Sequence, residues 1–192
     1  INMTGFDPRR FGDFADRHYM REQGFQDYGL TYATPLPGEE FPAARDCRLS
    51  PLHANLAEQG AVFTQTFGWE RPQWFSLDGR EEECSYRRNN VFEVVRAECE
   101  AVRDRVGVID MTGFAKYTVR GAGAEAFLNR LLANRMPKRD GGMALAHFLS
   151  RQGRILGEAT VTRIASDHFY LLSAASAEMR DLDHLLQQRE EG

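Results

Sequence analysis

The chain has 192 residues, carries 24 basic and 28 acidic side chains, and has a net charge of −4. That length holds one generous domain or two small ones, and 42% hydrophobic with 27% charged residues excludes disorder as the state of the whole chain. No like-charge run exceeds Glu81 to Glu83, so the basic face on which nucleic-acid or membrane-surface binding depends is excluded too.

Only Lys116 and Lys138 among the basic residues are lysines. The arginines are scattered, which points to base composition more than to anion recognition. Cys47, Cys84 and Cys99 are odd in number and lack C-x-x-C spacing, so neither a disulfide framework nor a structural zinc site is expected, and a reducing compartment fits. No apolar stretch approaches the roughly 20 residues of a membrane span, and INMTGFDPRR has no basic-then-apolar signal pattern. Because the chain opens on Ile1, its first residue is not expected to be the start of the gene product.

In chain order, Asp7 as N-cap and Pro8 at the first helical position predict a helix from Arg9 to about Tyr28. ATPLPGEEFPAAR, with three prolines in eight residues, reads as an extended connector. SPLHANLAEQG predicts a short helix capped by Ser50 and stopped by Gly60, and AVFTQTF alternates as a strand does. GWERPQWF then brings the only two tryptophans together around a Glu-Arg-Pro turn. SLDGREEECSYRRNN is a polar boundary loop. From Val91 to Val106 a helix is predicted, with Val91, Val95, Cys99, Val102 and Val106 as its apolar stripe and Gly107 as its stop.

From about residue 107 the predicted order is β, β, α, β, β, β, α. The strands are VGVID, FAKYTVRG, GMALAHFLS, RILGEATVTRIA and HFYLLSA, with helices from about Ala124 to Ala133 and Ala177 to Gln188. That is an α+β pattern with a mainly antiparallel sheet. The terminal LLQQREEG leaves a helix without following strands, so the C-terminus is expected to be a cut.

GAGAEAF follows a strand and opens a helix but lacks the third glycine of G-x-G-x-x-G, and is read as a turn. His147 and His168 have no ligand-spaced partners and are read as satisfied or surface histidines. In the strand from Ile155 to Ile164, Ile155, Ala159 and Val161 form the apolar face, which places Glu158 with Leu156, Thr160 and Thr162 on the other. On pattern alone Glu158 is a solvated acid; the neighbouring Gly157 leaves room for a ligand ring.

Three strings, SPLHANLAEQGAVFTQTFGWERPQWF, AECEAVRDRVGVIDMTGFAKYTVRGAGAEAFLNRLLAN and LSRQGRILGEATVTRI, resemble the middle of the dimethylglycine and sarcosine dehydrogenase family. These are long flavoproteins whose C-terminal half resembles the aminomethyltransferase (T-protein) of the glycine cleavage system. The resemblance covers nearly the whole chain. It implies the tail of the FAD-dependent oxidoreductase half and a linker over residues 1–76, a connecting loop over 77–87, and the N-terminal part of a T-protein-like folate-binding domain over 88–192. It further implies a two-site chemistry: FAD oxidises an N-methylated amine to an iminium, and tetrahydrofolate captures the one-carbon unit. The flavin-binding fold is absent from these residues, so FAD is expected in the full-length protein and not on this segment, which alone is expected to be inactive.

The family's acid near the reactive folate nitrogens falls on Glu158, implying a general base, and folate contacts are implied at Met111, Thr112 and Phe114. The sequence departs from the family in having Glu for the usual Asp, Arg154 for the second glycine of the turn, and Leu145 where T-protein has tyrosine. The departures favour a second reading, a T-protein-like folate-binding or structural module without its own catalysis. The implied partners are the amine substrate, folate, the flavin half and the rest of the T-protein-like domain, with neither nucleic acid nor membrane. The implied location is cytoplasmic in a bacterium or of mitochondrial-matrix type.

Overall fold

A computed structural model of the chain describes residues 6–189. It contains two compact units, one of Asp13–Gly113 and one of Phe114–Gly192 together with Ile1–Gly12.

In the first unit, helix α1 (Arg17–Gly29) starts where the Asp16 side chain accepts the Tyr19 amide at 2.8 Å. The start expected at Asp7 is corrected: Asp7 and Pro8 open only a single 3-10 turn, Pro8–Arg10, after which Phe11 is extended. The Arg9 side chain closes back on the Asp7 carboxylate at 2.9 to 3.2 Å, completing a local unit that needs no helix beyond it. Helix α2 (His53–Glu58) begins one turn after Ser50, whose Oγ accepts the Leu52 amide and whose carbonyl accepts the His53 amide.

Strands β1 (Ala61–Thr66) and β2 (Trp69–Phe75) pair antiparallel. They are joined by Phe67 at φ 51° and Gly68 at φ 77°, the two positive values that a right-twisted two-residue hairpin requires. GWERPQWF is thus a strand and not a turn: Pro72 lies within β2, opposite Phe63 and beside the register irregularity at Val62/Phe63. A two-stranded ribbon leaves one side of each strand unpaired, and there a missing N–H costs little.

Helix α3 (Phe92–Asp104) departs from its predicted stripe. Val91 is buried, but Cys99, Val102 and Val106 are exposed. The helix turns Glu98 inward, where its carboxylate accepts the Phe75 amide at 2.9 Å, so a polar bond to the ribbon overrides the apolar pattern. VGVID forms no strand; Val106, Val108 and Ile109 lie outside any helix or strand and are exposed.

The second unit contains β3 (Ala115–Arg120), α4 (Ala124–Leu131), β4 (Met143–Leu149), β5 (Ile155–Ala165), β6 (His168–Ser173) and α5 (Glu178–Gln187). The sheet order is β3-β6-β5-β4 with every pair antiparallel, so the fold is α+β with a mainly antiparallel sheet and flanking helices, as the sequence pattern predicts. Ala146, Phe148, Ala159, Val161, Phe169 and Leu171 form one sheet face and pack with Leu128 of α4 and Leu185 of α5. Ile155 does not join them. It lies beyond the irregularity at Phe148/Leu149 and is exposed.

Candidate functional site

Period-two alternation along β5 buries Ala159 and Val161 and turns Glu158, Thr160 and Thr162 to the opposite face. Across the strands that face carries the row Lys116, Leu172, Thr160 and Leu145, set by the Lys116↔Leu172, Thr160↔Leu172 and Leu145↔Thr160 registers. Glu158 pairs in register with His147, and its carboxylate lies 3.6 Å from the imidazole Nε2. The Glu158 side chain is 63% exposed and that of His147 34%.

Phe114 shares this end of the sheet. Ala115 of β3 and Ala159 of β5 both lie opposite Ser173 of β6, so Phe114 and Glu158 each stand one residue before a partner of Ser173. Two strand spacings separate them, roughly 10 Å. An accepting carboxylate and the apolar Leu145 and Leu172 on one sheet face, with the partly exposed Phe114 just before β3, suit a flat heterocycle bearing N–H groups. A Cβ on Gly157 would sit 2.9 Å from the Arg180 guanidinium, so the glycine makes room for α5 on the side away from Glu158 and not, as expected from the sequence, for a ligand ring.

Met111 and Thr112 belong to the other unit. The Thr112 amide is held by the Asp110 carboxylate at 2.9 Å, and the Met111 side chain is exposed. A Cβ on Gly113 would stand 3.7 Å from Trp69 and from Arg71, so GWERP packs beside the end of this turn.

Four polar groups escape the sequence reading. Glu70, the acid of GWERP, is buried with 1% of its side chain exposed and accepts Arg45 Nε at 2.9 Å, Arg45 Nη2, and the Asp46 amide at 2.9 Å. Burial opposes its ionisation, yet Arg45 and the Asp46 amide outweigh burial and hold the carboxyl below its usual value. Tyr117 is driven up to about 12 by burial between the sheet and α5, where its hydroxyl donates to the Glu178 carbonyl at 2.8 Å. On the same helix, Asp181 Oδ2 and His184 Nε2 are buried without a protein hydrogen-bond partner.

GAGAEAF is the turn between β3 and α4, with Gly121 at φ 126°. His168 accepts from Arg120 at 3.3 Å. Among the described residues no group of three His, Cys, Asp or Glu is arranged to hold a metal, and no helix is long and apolar enough to cross a membrane. The named strands of both sheets pair antiparallel.

Residues 52–191 match the GCVT N-terminal domain and residues 1–50 match the central domain of FAD-dependent oxidoreductases. Mouse mitochondrial dimethylglycine dehydrogenase is 34% identical over 185 residues, which is 95% of this chain and 21% of the mouse protein. Human mitochondrial sarcosine dehydrogenase is 29% identical over 195 residues, 87% of this chain and 21% of that protein. The chain therefore spans about a fifth of the length of these curated relatives. The crystal structure of the glycine cleavage system aminomethyltransferase T from Bartonella henselae superposes with a TM-score of 0.57 at 22% identity, over 73% of this chain and 35% of the other, and shares the fold. A match to the GCVT N-terminal domain over residues 52–191, preceded by an oxidoreductase central segment, identifies the chain as a member of the GCVT N-terminal domain family.

Proposed function

We propose that the chain is an internal portion of a folate-linked N-methylamine dehydrogenase of the dimethylglycine/sarcosine type. The flavin-half tail would run to about residue 76, a loop over 77–87, and the folate-type domain from 88. FAD, bound by a part of the polypeptide outside this stretch, would supply oxidation of the amine to an iminium.

The contribution of this chain is the folate step. One folate nitrogen would add to the iminium carbon, the second would displace the demethylated amine to leave methylene-tetrahydrofolate, and the Glu158 carboxylate would take the proton shed by the attacking nitrogen and return it to the departing amine. His147, 3.6 Å away across the strand pair, orients that carboxylate. Phe114 would stack on the heterocycle, while Met111 and Thr112 are proposed as folate contacts on family resemblance alone. The observation that supports the reading is that Phe114 and Glu158 each stand one residue before a partner of Ser173. The relatives named above are mitochondrial, which supports a matrix-type location, or the cytoplasm in a bacterium.

The second reading is a T-protein-like folate-binding or structural module without its own catalysis. The 63% exposure of Glu158 favours it, since solvated carboxylates make weak positioned bases. Incubating the intact polypeptide with dimethylglycine or sarcosine, with and without tetrahydrofolate, separates the two. Methylene-tetrahydrofolate formed at the expense of free formaldehyde supports the first. Folate binding by calorimetry without such a product supports the second, and neither binding nor product sinks both.

A further inference from the structure

Residues 40–48 lie as a strap between α1 and the β1–β2 ribbon, inside the unit Asp13–Gly113. On one side the strap is tied to α1: the Gln23 side chain donates to the Ala43 carbonyl, and the Ala43 amide donates to the Gln26 side chain, both at 2.9 Å. On the other side it meets the ribbon. Glu40 accepts the Gln65 amide at 3.2 Å, Gln65 Nε2 donates to the Ala44 carbonyl at 2.6 Å, and the Glu70 amide donates to the Arg48 carbonyl at 2.9 Å. Arg48 also bridges Trp69 in parallel, with its guanidinium 4.3 Å from the indole. Helix α1 and the strap fall in the stretch that matches the oxidoreductase central domain, and the ribbon in the stretch that matches the GCVT N-terminal domain. These contacts therefore cross the boundary between two kinds of module.

Arg45 sits in the middle of the strap, and its neighbours on both sides, Ala44 at φ 50° and Asp46 at φ 61°, occupy the left-handed region. Residues other than glycine enter that region at a cost, and they persist there only where the surroundings over-determine the conformation. Glu70 supplies that constraint. Its buried carboxylate accepts the Arg45 guanidinium through both oxygens and the Asp46 amide through one, and Arg45 Nη2 donates further to the Phe63 carbonyl at 3.0 Å. No helix or strand forms within the strap, so its order depends on these side-chain bonds.

We propose that the strap is a strained latch with Glu70 as its keeper. It opens as one unit from Glu40 to Arg48, separately from unfolding of the four-stranded sheet, so the joint between the oxidoreductase-type and T-protein-type stretches loosens without either stretch unfolding. Strain at Ala44 and Asp46 favours the open state, and the Arg45–Glu70 pair favours the closed one. The latch does not rest on the folate reading.

Residue-resolved amide hydrogen exchange on the intact polypeptide tests it, comparing wild type, Glu70→Gln and Ala44→Gly. Ala43 is the informative probe, because its amide bonds to Gln26 and not to Glu70. In E70Q, Ala43 and Asp46 should exchange faster together by roughly 30-fold or more. Val161 and Leu171, paired on the interior strands of the four-stranded sheet, should change by less than about three-fold. A44G gives the left-handed position the residue that suits it and should slow both strap amides by roughly three-fold, which keeps the latch testable if E70Q does not fold. Acceleration of Asp46 alone in E70Q, equal acceleration of Val161 and Leu171, or unchanged or faster strap exchange in A44G overturns the proposal.

Discussion

Replacing Glu70 with glutamine isolates the buried ion pair that ties the connector to the β1–β2 ribbon. The carboxylate accepts two Arg45 donors and the Asp46 amide with 1% of its side chain exposed, whereas Arg45 is 27% exposed. Breaking a buried pair costs about 3–5 kcal/mol when the orphaned charge stays dry. Partial access of Arg45 to water, and the one acceptor that glutamine retains, reduce this to about 2–3 kcal/mol. With a urea slope of about 2 kcal/mol/M, the midpoint of the intact polypeptide should fall by roughly 1–1.5 M. The pH dependence gives an independent check. Because the folded carboxyl titrates below its ordinary value of 4.5, its stabilisation is present above the unfolded value and lost as pH falls through the folded one. The gap between wild type and E70Q should therefore narrow below about pH 4.5. A double-mutant cycle with Arg45→Met should return a coupling above about 1 kcal/mol. A cost below about 0.5 kcal/mol, or a gap unchanged down to pH 3, would refute the reasoning.

Two further substitutions probe the fold. Tyr117→Phe removes the bond to the Glu178 carbonyl and should cost about 1 kcal/mol in denaturant titration. The wild-type phenol is raised from 10.0 to about 12. Its contribution is thus complete below the unfolded value and lost as pH rises toward the folded one, so wild type but not Y117F should show this component of alkaline destabilisation between about pH 10 and 12. Gly60→Ala places a Cβ 2.5 Å from the Ser76 carbonyl at a residue with φ 86°, and thermal melting should report a loss of more than about 2 kcal/mol. Wild-type-like melting of G60A would show that the Gly60–Ser76 contact relaxes freely.

Local rules made much of the second unit legible. Alternation in ILGEATVTRIA placed Glu158 opposite Ala159 and Val161, and Gly121 marked the turn into α4. The sequence reading failed where a second local signal or a distant partner decided the outcome. Asp7-Pro8 and Asp16 both cap helical turns, and only the closure of Arg9 on Asp7 distinguishes them. The Phe67-Gly68 hairpin was hidden because a phenylalanine at positive φ is rare. VGVID alternates as a strand, but no described strand pairs with it. The Glu70–Arg45 pair joins residues 25 apart, and no spacing rule connects a connector arginine to a strand glutamate. The row shared by Phe114 and Glu158 needed the sheet order, with β6 between β3 and β5, which alternation alone does not supply.

The central claim is that Glu158 takes the proton when folate accepts the one-carbon unit. Its most direct measurement is the rate of tetrahydrofolate-dependent product formation in the intact polypeptide carrying Glu158→Gln, with amine oxidation followed in parallel through flavin absorbance. The account predicts a fall of roughly 100-fold or more in folate-coupled transfer with amine oxidation unchanged and folate still bound. Transfer at the wild-type rate in E158Q would contradict it.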